Sequence, residues 1–431
     1  MTDQSIHPKA YRLTGQPVPL TVPSVGAASL RAVRIPATLL ALVAAFVIAG
    51  CSLSDKKDDS GGARAPDPGT PATGVKSNQP RAAAELGFPT VATKNTTRVS
   101  GGDAAADVAG AVSAVWPATS DRSRPAVVAL VDKDDWQGAL AASVLNAAPV
   151  RAPTLLSDGS NLPQVSSDTL NRLKPKGSQL TKGAQVVLIG PKPRAPQGFK
   201  PASLNGKDPY ELAAAVDRFF SARKGKPSED VIVTTGERAP YAMPAAAWAA
   251  RSGDSVLFVK QNEIPPATQR ALAAHEQPSI YVLGPEEAVS ENVVKRLGRF
   301  GKVKRVAGKD PVENALAFTR FRGSGDFGWD ANVAGRNLTV ASTDRPLDLA
   351  AGGALGTNGI FAPLLLTDQP DPLPKPLDGY LLDVQPGYEG DPRDAVYNHV
   401  WILGDTRTVS PAAQDRIDEV SSLIPVQLPD Q

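Results

Sequence analysis

Side chains able to break bonds or hold metals are scarce in this sequence of 431 residues. It has one cysteine, Cys51, and three histidines, His7, His275 and His399. A lone thiol excludes an intramolecular disulfide and any cysteine-rich zinc site. The phosphate-loop, Gly-x-Ser-x-Gly and His-Glu-x-x-His patterns are absent, so neither a catalytic residue nor a metal or cofactor is expected. His275 falls where a helix ends, and a cation there complements the helix dipole. His399 immediately precedes a strand and reads as an edge residue. Asp132, Asp134 and Asp135 follow an apolar strand at its carboxyl end, where α/β proteins bind ligands. They read here as a solvated loop. Gly352-Gly-Ala-Leu-Gly356 lies within or after a helical stretch and reads as packing and turn glycines, not as a nucleotide cradle.

Composition narrows the classes further. The 46 Lys+Arg against 44 Asp+Glu leave +2, so no basic field recruits nucleic acid, and 5% aromatics cannot form a base-stacking platform. Nucleic acid is therefore not an expected partner. At about 150 residues per domain the length allows two to four folded units.

The N-terminal region sets the address. Arg31 and Arg34 precede an uncharged run from Ile35 to Gly50 that ends at Cys51. The run is shorter than the roughly 20 residues a membrane-spanning helix needs, and suits the apolar part of a signal peptide. Ile48-Ala49-Gly50-Cys51 resembles a bacterial lipobox. That resemblance implies a signal peptide over 1–50, a lipid on Cys51 and attachment to the outer face of the cell membrane, within the cell wall. Residues 1–50 hold four bases (Lys9, Arg12, Arg31, Arg34) and one acid (Asp3), so their removal takes the chain from +2 to −1. Residues 51–97 carry Asp-Lys-Lys-Asp-Asp, Gly-Gly and several prolines, and few apolar residues precede Leu86. Such a stretch buries too little surface to offset its ordering entropy, and reads as a tether with a span of roughly 40 Å.

Beyond the tether the chain repeats. Arg98-Val-Ser-Gly101-Gly-Asp103, Ser203-Leu-Asn-Gly206-Lys207-Asp208 and Arg305-Val-Ala-Gly308-Lys309-Asp310 are alike, and each opens an alanine-rich stretch with apolar residues three and four apart. Asp208-Pro-Tyr-Glu and Asp310-Pro-Val-Glu have the layout of a capping box with proline at the first helical position. These aspartates are expected to cap helices. Short β-branched runs follow, then further alanine-rich helices, then strands ending in Gly190, Gly284 and Gly404. Continuous apolar strands alternating with helices predict parallel sheets covered on both faces. A helix is expected after Gly284 and Gly404. After Gly190 the run Pro191-Lys-Pro-Arg-Ala-Pro196 should abolish it.

This order of elements, clearest from Ile280-Tyr-Val-Leu-Gly-Pro-Glu-Glu-Ala-Val-Ser290 through Val306-Ala-Gly-Lys-Asp310, resembles the cell wall binding repeat type 2. The resemblance implies three tandem modules, at 98–201, 202–303 and 304–431. It also implies a Rossmann- or toprim-like α/β fold for each, packed about a pseudo-threefold axis. The implied partner is an anionic, teichoic-acid-like wall polymer. The family's mid-module aspartate is kept at Asp348. Departures are visible, because Ala104, Pro209 and Pro311 stand where the family has arginine. Arg98, Lys207, Arg305 and Lys309, which flank the turns, are the expected polymer-contacting bases, together with Asp348. Other classes compatible with the sequence are a lipid-anchored solute-binding protein with two lobes and a hinge, and a wall hydrolase using the extended segment 367–399.

Overall fold

The computed structural model describes residues 91–426. Cys51, the run before it and most of the tether stretch lie outside the described residues. The described chain opens with β1 (Val91–Ala92), antiparallel to β2 (Thr96–Val99), and helix α1 (Ala104–Val115). There follow β3 (Val128–Asp132), α2 (Trp136–Ala142), β4 (Thr154–Ser157), α3 (Gln164–Leu173), β5 (Val186–Ile189) and β6 (Pro201–Leu204). The middle third contains α4 (Pro209–Lys224), β7 (Asp230–Thr235), α5 (Ala239–Ala242), α6 (Ala245–Ser252), β8 (Ser255–Val259), α7 (Pro266–Ala274), β9 (Ser279–Leu283), α8 (Glu291–Leu297) and β10 (Lys302–Val306). The last third contains α9 (Pro311–Arg320), β11 (Asn337–Ser342), α10 (Asp348–Leu355), β12 (Leu364–Thr367), α11 (Lys375–Asp383), β13 (Gly387–Tyr388), β14 (His399–Leu403), α12 (Pro411–Val420) and β15 (Ile424–Pro425).

Two four-stranded parallel sheets have the orders β4-β3-β5-β6 and β8-β7-β9-β10. The third has the equivalent order β12-β11-β14-β2, extended by β1. Its fourth strand comes from the start of the folded chain, since Val400 pairs with Thr96 and Leu403 with Val99. The folded region therefore begins inside the stretch read as tether, and Asn95 and Thr96 are buried there. The pairings also differ from a repeat cut just before each Gly-x-Asp turn. The strand leading into each turn closes one sheet, and the helix leaving the turn packs on the next module. Accordingly, α4 packs on α2 and on β8, and α9 packs on β12 and α11.

Local chemistry explains the elements. Asp103, Asp208 and Asp310 each accept a hydrogen bond from the backbone N–H three residues on, at 2.8, 2.7 and 2.8 Å. They are caps, as their spacing predicts. Strands β3 and β5 inside the first sheet, and even β8 and β12 at the ends of the other two, are buried at every position, which fits sheets covered on both faces. Gly190, Gly284 and Gly404 have φ of 80°, 127° and 93°, so the strand ends where only glycine turns the chain without strain. A helix follows Gly284 and Gly404, whereas none lies between β5 and β6, where the prolines stand.

The alanine-rich helices α2, α6 and α10 converge. α10 packs against both α6 and α2, and small residues allow close approach. A Cβ on Gly356 would lie 2.5 Å from the Ala247 carbonyl oxygen, and one on Gly353 would lie 3.2 Å from Ser143 Oγ. The glycines of 352–356 therefore serve helix packing. An aromatic cluster joins the middle and last modules. Trp248 of α6 meets Phe327 and Trp329 at centroid distances of 5.1 and 5.4 Å, and Tyr281 stacks on Phe327. No helix among the described residues is long and apolar enough to cross a membrane.

Candidate functional site

In each sheet the chain order reverses between two neighbouring central strands, leaving a crevice at their carboxyl ends where α/β sheets bind ligands. The first crevice lies between β3 and β5 and is bridged by Lys192, whose Nζ is 3.0 Å from Asp132 and 3.9 Å from Asp134. Asp132 is not a solvated loop residue. It is 2% exposed and also accepts from the N–H groups of Asp134 and Gly159. Burial alone would raise its pKa, yet the Lys192 bond and the two amides hold it below the usual carboxylate range. In the second crevice Arg238 meets Glu287 at 3.3 Å, and the Tyr241 hydroxyl donates to the same carboxylate.

In the last module, Arg345 binds Asp348 through Nε at 2.7 Å and also reaches Asp107 of α1. Asp107 and Asp348 are both fully buried. Burial, then the neighbouring charge of Asp348, pushes the Asp107 carboxyl up to about 7. The aspartate that the family resemblance singles out is thus an internal ion-pair partner. Its exposure is zero, which corrects the expectation that Asp348 faces a polymer.

The turn bases divide in two. Arg98 is 2% exposed, and its guanidinium donates to the carbonyls of Gly404, Asp405 and Val409 and to Gln414. Burial pulls its pKa down to about 10. Arg305 stands at the equivalent place and donates to the carbonyls of Gly284 and Val289 and to Glu291. Both tie the loop after a strand-ending glycine to the following helix, so the expected solvent-facing role is corrected for each. The first module has Ser203 at this position and lacks the helix that such an arginine would hold. Lys207 and Lys309 are exposed, and Lys309 pairs with Glu313 at 2.6 Å.

Neither histidine is arranged for catalysis. His275 is buried, with Nδ1 2.8 Å from the Ser228 carbonyl and Nε2 2.9 Å from Asp217, so it links α7 to α4. His399 contacts the Thr97 hydroxyl at 2.8 Å across the β14–β2 pair. Among the described residues no group of three or more His, Cys, Asp and Glu is placed to hold a metal. The sequence did not reveal a cavity of about 560 Å³ between α4 and α7, lined by Arg218, Arg270, Ala274 and His275 among others. It forms between helices whose packing the repeat pattern does not specify.

These features define an α/β protein of repeated parallel-sheet modules with equivalent crevices. Residues 203–294 match the model for cell wall binding domain 2 (CWB2). The fold is similar to that of Cwp6 from Clostridium difficile, with a TM-score of 0.60 and 15% identity over 75% of this chain and 48% of that one. It is also similar to Cwp8 from Clostridium difficile, with a TM-score of 0.57 and 18% identity over 76% of this chain and 51% of that one. The chain spans about half the length of these two proteins. No curated protein matches it.

Proposed function

We propose that the protein is a noncatalytic, lipid-anchored surface protein that holds an anionic, teichoic-acid-like cell-wall polymer through three modules. The observation that carries this reading is the match of residues 203–294 to the CWB2 model, in a chain whose other two sheets have the same strand order. The chain is then read as a signal peptide before Cys51, a tether, and three modules about a pseudo-threefold axis, with the boundaries moved from 98, 202 and 304, which cut β2, β6 and β10, to the ends of those strands. The convergence of α2, α6 and α10 supports that arrangement. With net charge near neutrality, binding relies on local exposed bases, among them Lys207 and Lys309, and linked weak sites gain avidity from effective concentration. The two-lobed solute-receptor reading finds no support in three equivalent sheets.

The test is co-sedimentation of the purified protein with cell walls, before and after the anionic polymers are stripped. Retention on intact walls and release from stripped walls supports the proposal, and equal behaviour on both rejects it. Cys51→Ala should abolish lipid labelling and membrane retention, and retention of an unlabelled mutant would remove the anchor.

A further inference from the structure

Three helix pairs occupy equivalent places in the repeat, namely α1 with α3, α4 with α7, and α9 with α11. One position on the first helix of each pair, at the same offset from the capping aspartate, is Ser113, Arg218 or Arg320. The facing position on the second helix, at the same offset from the proline that precedes it, is Arg172, Ala274 or Asp383. In the outer copies the two positions bond across the pair. Arg172 donates to Ser113 Oγ at 2.6 Å and to the Trp116 carbonyl at 2.9 Å. Arg320 meets Asp383 at 2.5 Å. One turn back on the second helix, Tyr380 fills the cleft of the last copy beneath Arg320, which lies 4.7 Å from its ring centroid.

The middle copy breaks this pattern. Ala274 offers Arg218 no partner, and Ala271 stands where the last copy has Tyr380. The result is the 560 Å³ cavity, with Arg218 and Arg270 in its lining. Among the described residues neither guanidinium has a hydrogen-bond or ion-pair partner. The acids nearby are already engaged. Asp217 accepts from His275 Nε2 and from Ser255 Oγ, and Glu211 accepts from the Lys207 amide. His275 has acceptors at both ring nitrogens, which fits an imidazolium that neutralises Asp217. An anion entering the cleft would therefore meet two free cations, against one carboxylate that keeps its charge, Glu211, which is held by the Lys207 amide. Small alanine faces leave room for a compact body behind the charge, and the volume lies in the range of ordinary small-ligand sites.

We propose that the α4–α7 cleft of the middle module binds a carboxylate- or phosphate-bearing sugar unit, whose anionic group takes the place that the Asp383 carboxylate fills opposite Arg320 in the last module. Only the source of that sugar, the wall polymer, rests on the function proposed above. The whole protein is titrated calorimetrically with sodium glucuronate, glycerol 3-phosphate and uncharged glucose. At least one anion should bind saturably in the millimolar range or tighter, and glucose should not. Ala274→Asp, which supplies the missing carboxylate, should weaken that binding at least tenfold while keeping the wild-type thermal midpoint. Arg218→Gln at the exposed rim should weaken it similarly. Absence of saturable anion binding, or affinity unchanged in both variants, overturns the site. Wall co-sedimentation of Ala274→Asp then tests the source. Weakened retention supports the polymer, and undiminished retention overturns it as the ligand of this cleft. A wild type that ignores walls yet binds an anion in an Ala274→Asp-sensitive way would sink the wall-binding reading and leave the site standing.

Discussion

Arg98 and Gly404 are 306 residues apart in the chain, and the guanidinium of the first donates to the carbonyl of the second at 3.1 Å. The bond joins the first parallel strand of the folded region to the last module, whose sheet that strand completes. Because Arg98 is buried with its donors engaged, Arg98→Ala strands several carbonyls and Gln414 without partners. A loss of about 3 kcal/mol or more is expected in denaturant unfolding. Deleting residues up to Val99 should be worse, since it leaves β14 as an open edge. Hydrogen exchange should then show lost protection first in β14 and α12, and uniform loss across all three sheets would contradict this.

The capping aspartates offer a cleaner contrast. Asp208→Ala and Asp310→Ala each remove one acceptor at a helix start, exposed in the first case and half-buried in the second, and should lower stability by about 1 kcal/mol. Wall retention at a temperature where both variants are folded should match the wild type. A large loss of retention at unchanged stability would move these residues into the binding surface.

Asp107 makes stability depend on pH. Its folded pKa of about 7 lies above the ordinary value of 3.8, so the native state binds the proton more tightly than the unfolded chain. Stability from this group is therefore present at low pH and lost as pH rises from about 4 to 7. Asn314 occupies the equivalent place in α9 and accepts from the Gly308 amide, as Asp107 accepts from Gly101. Asp107→Asn should thus fold, and its unfolding free energy should fall less than the wild type's between pH 5 and 8. Parallel pH profiles for the two proteins would show that Asp107 titrates normally.

His275 acts in a higher window. Burial alone would lower its pKa, but the hydrogen bond and charge of Asp217 raise it above 6.5. The stabilisation is complete below that value and lost as pH rises through the raised folded value. His275→Gln leaves the Asp217 carboxylate without its cation and should cost on the order of 3 kcal/mol near pH 6. The gap should narrow toward pH 9. A gap independent of pH would mean that the ring is neutral throughout.

What could be read from the chain alone was whatever depends on neighbours a few residues away. The three capping aspartates, the strand-ending glycines and the helix lost at Pro191–Pro196 follow from local hydrogen bonding and backbone sterics, and each stands where its spacing places it. The repeat was legible for the same reason. Which sheet a strand joins is another matter, because Thr96–Val99 reads equally well as the opening of the first module until β14 is placed beside it. Arg98 and Lys207 flank equivalent turns in the sequence, yet one is buried against carbonyls of the last module and the other is exposed. That Ala274, and no acid, faces Arg218 across the cleft was also invisible, since a helix pair brings together residues that no local pattern links. Burial and pairing are properties of contacts between distant segments, and only the tertiary structure decides them.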